Sequence, residues 1–342
     1  MQRKRADQAT KSRIPAVCNA ELHHSNPSRY VLHATAILLH VSGHLDQYRN
    51  TSHKHILRQA SRTDQLNIRK MTTSEMITFY DIASNEPLRT FAPNPWKTRF
   101  ALNFKGVPYK TQWTQMPDIT SVREKLGVPA NRTLPDGSAY HTLPVIRDPS
   151  TGALIGDTFE IALYLDKQYP DGPKLFRTNT TGLTAAFNAQ IDGIFTKFAG
   201  LCELPFDPKV KEECHAMFAK RFGMKSADDM KLSDEARQGL WTAFEHALGE
   251  LAKAYKHTGG TTDYFWRGEG SAEAQRQRGP EDRREAVFLD GEEPAYADFI
   301  VGAWLKMMEA CLKAEEWERV RSWHGGHWGR VVNALKPWSE IK

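Results

Sequence analysis

The chain has 342 residues, 40% of them apolar, with 46 lysines and arginines against 41 aspartates and glutamates. That is enough apolar material for a buried core and for two domains, which excludes a wholly disordered protein. The basicity is local: residues 1–70 carry 12 basic against 4 acidic residues, leaving 34 against 37 for the remainder, so beyond that segment nothing points to nucleic-acid binding.

Residues 1–70 hold seven of the 13 histidines and one apolar run, YVLHATAILLHV, which is too short and too interrupted by histidine to span a bilayer. A secretory signal would place its apolar region near the start, with a small-residue cleavage site behind it. Low acidity fits a mitochondrial presequence, whereas the many histidines do not. The segment reads as a disordered basic extension, or as one outside the working protein, with the folded unit opening at Met71. His23 and His24 have no partner at metal-ligand spacing, and no metal is expected. Cys18, Cys202, Cys214 and Cys311 form no CxxC and no Cys/His cluster. They suit a reducing cytosol, as small buried apolar residues.

From residue 76 the pattern is orderly. MITFYDI is a β-branched and aromatic run, a strand. In FAPNPWKTRFALNFKGVPY, Asn94 can cap a helix whose first position is Pro95, with Trp96, Phe100, Ala101 and Phe104 on its apolar face and Gly106 at its end. VPYKTQWTQ is a second strand, so the unit predicts a parallel pair with a right-handed crossover. After a polar loop, HTLPVIRDPSTGALIGD reads as a hairpin around DPSTG. In DTFEIALYLDKQYP, Asp157 is a plausible N-cap with Glu160 three residues on, as in a capping box. From about residue 180 everything reads as helix: AAFNAQIDGIFTKFAGLC, KEECHAMFAKRFG, SDEARQGLWTAFEHALGELAKAY, YADFIVGAWLKMMEACL and WERVRSWHGGHWGRVVNAL. A Gly-, Arg- and Glu-rich insertion at about residues 258–292 reads as a solvated loop. The fold class is α/β plus all-α, with an α/β domain over residues 76–178 and a helical domain over 183–340.

NPWKTRFALNFKGVPY, HTLPVIRD and GDTFEIALYLDKQYPD, in that order, resemble the thioredoxin-like N-terminal domain of glutathione S-transferases. The wording is similar to the fungal etherase-related group and, more distantly, to bacterial β-aryl etherases. The likeness covers residues 76–178 and continues in FLDGEEPAYADFIVGAW. It implies a thioredoxin-like domain followed by a helical bundle, glutathione as co-substrate, a small apolar electrophile as second substrate, and a homodimer in the cytosol without nucleic-acid or membrane partners.

The resemblance also implies roles for named residues. Pro144 takes the place of a cis proline, and the main chain of Leu143 that of the segment pairing with the cysteinyl part of glutathione; from LP alone, a strand-entry proline is the other reading. Asp157 and Thr158 occupy the acidic-Ser step that holds the γ-glutamyl end at a helix N-terminus, and Asp157 can equally serve as a cap. Where the related fungal sequences carry a serine whose hydroxyl faces the glutathione sulfur, this chain has Ala92. Asn94 is the first substitute donor, with helix capping as its other reading; the backbone N–H groups after Pro95, or Thr90 or Ser84, are further ones. Lys97 and Arg99 either attract the glycine carboxylate or stay solvated. Phe91, Trp96, Phe195, Phe198 and Met217 are candidate walls of the electrophile site, at least half of them expected in the core. Ala295 replaces a capping hydroxyl and leaves Asp298 with half of its local pairing.

The predicted activity is activation of the glutathione thiolate for conjugation or ether cleavage, in detoxification or fungal secondary metabolism. The alternative, favoured by Ala92, is a non-catalytic carrier of glutathione or a hydrophobic ligand.

Overall fold

A computed structural model describes residues 75–258, apart from 135 and 227, and residues 287–342. The expectations for residues 1–70, for the Met71 start and for most of the charged insertion lie outside the described residues.

Strand β1 (Ile77–Ile82) buries alternate residues along its first four positions. Helix α1 (Pro93–Phe104) crosses over to β2 (Tyr109–Thr114), which runs parallel to β1 with Ile77 opposite Tyr109 and Ile82 opposite Thr114. Lys105 caps α1 and Gly106 follows at φ 66°, a left-handed position that glycine takes at little cost.

The next stretch, expected as a plain loop, contains α2 (Ile119–Leu126) and a small hairpin of β3 (Arg132–Thr133) and β4 (Ala139–Tyr140). Strands β5 (Val145–Arg147) and β6 (Leu154–Ile155) form the expected hairpin, in which the Ser150 N–H donates to Asp148 Oδ1 at 2.8 Å within the turn. The main sheet has the order β2-β1-β5-β6, with β5 antiparallel to β1. Helix α3 (Thr158–Gln168) begins at the Asp157 cap.

The remaining elements are α4 (Thr181–Thr196), α5 (Lys211–Arg221), α6 (Asp234–Tyr255), α7 (Tyr296–Cys311) and α8 (Ala314–Leu335). The last was expected as one helix. It is two helical segments, because Trp323 leaves the helical region and His324, Gly325 and Gly326 take φ of 54°, 69° and 78°. The HGG triplet supplies the two glycines that such a left-handed run favours.

Helix α7 packs along α1, where Phe299 stacks on Phe100 at 5.5 Å and meets Phe104 edge-on at 5.1 Å. The Tyr296 hydroxyl donates to the Thr158 carbonyl at 2.9 Å, fixing the start of α3 to the start of α7. Asp298 accepts from the Ala295 N–H at 2.9 Å, and its other oxygen takes the Leu289 N–H at 2.7 Å. The missing hydroxyl at Ala295 is thus offset by a bond to a more distant segment. Cys214 and Cys311 are buried and Cys202 half-buried; all three are free thiols. Among the described residues no helix is long and apolar enough to cross a membrane, and no group of His, Cys, Asp or Glu is placed to hold a metal ion.

Candidate functional site

A cleft of about 880 Å³, part of it open to solvent, lies where the first turn of α1 faces α4, α5 and α7. Its inner lining includes Ala92, Pro93, Asn94 and Leu143.

The first turn of α1 is unusual in its donors. The N-cap is Ala92, so Pro93 stands at the first helical position, Asn94 at the second and Pro95 at the third. This corrects the expectation that Asn94 is the cap; Pro93, whose fixed φ suits the first helical position, moves the start forward by two residues. Neither proline has an N–H, and the Trp96 N–H already donates to the Ala92 carbonyl at 3.2 Å. The N–H groups after Pro95 therefore do not serve the cleft. The Asn94 N–H and the Asn94 side-chain amide remain, both without a hydrogen-bond partner among the described residues. Ala92 is 7% exposed and offers only a methyl group.

Thr90 and Ser84 do not reach the cleft. The Thr90 hydroxyl donates to Asp81 Oδ1 at 3.3 Å and that of Ser84 to the Asn85 carbonyl, both away from the lining. Lys97 and Arg99 are neither solvated nor aimed at a ligand. Arg99 Nη2 lies 2.6 Å from Asp81 Oδ2, with both side chains fully buried. Lys97 Nζ donates to Asp192 Oδ1 at 2.6 Å and to Asn188 Oδ1 at 2.8 Å. Burial holds the Lys97 ammonium below the usual lysine range, and the Asp192 carboxylate opposes that shift. Asp192 Oδ1 also accepts from the Trp304 indole at 2.7 Å, and both residues line the cleft.

The Leu143–Pro144 peptide bond is cis, as the resemblance implied. The main-chain N–H and C=O of Leu143 have no hydrogen-bond partner among the described residues. At the start of α3, Asp157 Oδ1 accepts from the Phe159 N–H at 2.9 Å and the Glu160 N–H at 3.4 Å, so Asp157 is a cap. Its second oxygen, the Thr158 hydroxyl and the Thr158 N–H have no partner among the described residues. Pro144, Asp157 and Thr158 stand outside the cleft lining, so the structure brings Asn94 and Leu143 together there and sets Asp157 and Thr158 to one side.

Arg123 on α2 joins these two parts. Its guanidinium, 1% exposed with the rest of the residue, donates to the Thr142 carbonyl at 2.5 Å, to the Gly156 carbonyl at 3.1 Å and to the Pro129 carbonyl. It thereby fixes the segment before Leu143 against the segment before Asp157. A Cβ on Gly156 would lie 2.6 Å from Val128 Cγ1 and 2.8 Å from Arg123 Nη2, so this approach depends on glycine.

Of the five candidate wall residues, at least half lie in the core, as expected. Phe91 lines the cleft, whereas Trp96, Phe195 and Phe198 lie in the core and Met217 stands outside the lining. Met116, Phe218, Phe222 and Trp304 form the wall instead. No single-residue pattern distinguishes them in the sequence. The polar pair Asn188 and Asp192, four residues apart within an apolar helix, is a legible signal that sequence reasoning passed over.

Two domain families match the chain: "Glutathione S-transferase, N-terminal domain" over residues 91–168 and "Glutathione S-transferase, C-terminal domain" over residues 184–338. Among curated proteins, the chain is 27% identical over 283 residues to "Glutathione S-transferase-like protein ustS" of Aspergillus flavus, covering 79% of this chain and 93% of that one. Among solved structures, it is 31% identical to a glutathione S-transferase of Ceriporiopsis subvermispora in complex with glutathione, with a TM-score of 0.65, covering 78% of this chain and 99% of the other. A glutathione transferase of Phanerochaete chrysosporium is 29% identical, with a TM-score of 0.63 and coverage of 78% and 99%. With these likenesses, the β2-β1-β5-β6 sheet and the helices after it make a thioredoxin-like domain followed by a helical one.

Proposed function

Because the chain belongs to the glutathione S-transferase family, we propose that it binds glutathione along Asn94, Leu143, Pro144, Asp157 and Thr158 and activates the thiol for attack on a lipophilic electrophile. The observation that carries this reading is the pair of unpartnered Asn94 donors at the first turn of α1, beside the unpaired main chain of Leu143. A free thiol has a pKa near about 8.5, and donors at a helix N-terminus favour the thiolate. Asn94 donates to the sulfur in place of the hydroxyl that Ala92 lacks.

Leu143 pairs main chain to main chain with the cysteinyl residue. At the far end, Thr158 takes the γ-glutamyl carboxylate and the second oxygen of Asp157 takes the ammonium. The thiol proton passes to solvent. The thiolate then forms a carbon–sulfur bond, by addition or by displacing a leaving group such as an aryloxide, which departs with the bonding pair. Detoxification or secondary metabolism in a cytosolic homodimer is the setting in which we place this chemistry.

One observation favours a second reading. The methyl of Ala92, where a hydroxyl would serve the sulfur, fits a protein that carries glutathione or a hydrophobic ligand without turnover. Titrating the full chain with glutathione by calorimetry, while recording thiolate absorbance in the ultraviolet, separates the two. Binding with a thiolate signal at neutral pH supports the transferase, binding without it supports the carrier, and no binding overturns both glutathione readings.

A further inference from the structure

The cleft lining includes two guanidinium groups that no carboxylate meets. Arg132 stands on β3 and Arg221 in the last turn of α5; both line the cleft, and neither forms an ion pair among the described residues. Arg132 is the cross-strand partner of Tyr140, which sets the two side chains on one face of the hairpin. The Arg221 guanidinium lies over the Tyr140 ring at 5.4 Å and over the Phe218 and Phe222 rings at 5.7 Å each. His141, beside Tyr140, lines the same cleft, and its buried Nδ1 has no hydrogen-bond partner among the described residues.

Charge in this cleft is uncompensated. Asp192 is the one acidic residue among those lining it, and it is already bonded to Lys97 and Trp304. A guanidinium held over aromatic rings keeps its N–H fork free and aligned, and that fork matches a carboxylate in two parallel bonds. Flanking it are the apolar surfaces of Phe218 and Phe222, which suit a flat ring.

We propose that the second substrate is an aromatic or similarly lipophilic acid, its carboxylate held by Arg132 and Arg221 while its apolar body packs against Phe218 and Phe222. This rests on the transferase reading of the same cleft. Arg221 is assigned to the second substrate rather than to glutathione because it stands on the helical side, away from Asn94, Leu143, Asp157 and Thr158, and Arg132 is assigned with it because both share the Tyr140 side chain as neighbour.

The test uses the full chain saturated with S-methylglutathione, which fills the peptide site without reacting. Calorimetry then compares chloronitrobenzoate with chloronitrobenzamide, which share the ring and differ in charge. The acid should bind at least about tenfold more tightly, as charge-assisted hydrogen bonds imply. Replacing both arginines (Arg132→Gln with Arg221→Gln) should abolish that preference and leave the affinity for S-methylglutathione unchanged. Equal binding of acid and amide by the unaltered chain would overturn the proposal, and needs no variant to fold. So would a double variant that loses S-methylglutathione instead of the acid. If the unaltered chain does not bind S-methylglutathione, it is the glutathione reading that fails, and the acid-against-amide comparison on the protein alone still judges the arginines.

Discussion

Lys97 Nζ lies 2.6 Å from Asp192 Oδ1, and this pair ties α1 to α4 at the wall of the cleft. The lysine is fully buried, while the aspartate keeps 23% of its side chain exposed. Removing the aspartate would therefore strand the costlier partner.

Asp192→Ala is expected to destabilise the protein by about 3 kcal/mol, because the buried Lys97 ammonium keeps only the neutral Asn188 acceptor and the Trp304 indole loses its acceptor. A Lys97→Met, Asp192→Leu double variant should recover most of that loss, since no charge is then left unpaired. Urea unfolding of the three proteins reads the difference, and equal losses in single and double variants would contradict it.

Gly156 is the weak point of the Arg123 clamp. Gly156→Ala forces a Cβ to within 2.6 Å of Val128 Cγ1 and 2.8 Å of Arg123 Nη2. The cost should be about 1–3 kcal/mol of stability. Glutathione affinity should fall as well, because Arg123 sets the Leu143 segment against Asp157. A variant that melts early yet binds glutathione normally would separate the clamp from the site.

At the thiolate end, Asn94→Ala should lower kcat/KM by about a hundredfold, the cost of one donor aimed at developing charge. Binding of S-methylglutathione, which has no thiolate to stabilise, should barely change. Ala92→Ser should raise turnover by supplying a hydroxyl at the same turn. Unchanged turnover in Asn94→Ala would remove the amide from the mechanism.

Asp298 gives a pH signature. Burial pushes its carboxyl up to about 7, against the two backbone N–H bonds from Ala295 and Leu289 that pull it down. Its folded pKa is raised, so its contribution to stability is fully present below the unfolded pKa of about 4 and is lost as pH rises to about 7. The stability advantage of the unaltered protein over Asp298→Asn should shrink across that window, by on the order of a few kcal/mol, and stay level above it. Unfolding free energies measured from pH 4 to 8 test this; a flat difference would place the ionised form in the folded state.

The parallel β1–α1–β2 unit, the β5–β6 hairpin and the Asp157 cap were legible because each has a local cause: alternation, turn residues, or a side chain that reaches its own backbone. Asn94 was legible as a donor but misplaced as a cap, since either of two neighbouring prolines can open a helix. Lys97 and Arg99 looked like surface charges because their partners Asp192 and Asp81 are brought to them only by the fold. Arg123 was missed within a stretch that reads as loop, though Ile119, Val122 and Leu126 with Gly127 behind them carry a short helical spacing. The wall of the cleft was the least legible part, because core and lining aromatics share one periodicity.

The two prolines that open α1 have a consequence for how the site could change. A backbone N–H is ordinarily beyond the reach of substitution, since every residue type but one supplies it. Here the exception occupies two of the first three helical positions, so the number of main-chain donors these three positions offer is itself encoded in side-chain identity. Exchange of Pro95 for any other residue adds a donor in one mutational step, and exchange of Asn94 for proline removes the last one within these three positions. The count of main-chain donors at this turn thus passes from parent to descendant as a sequence trait, one proline at a time.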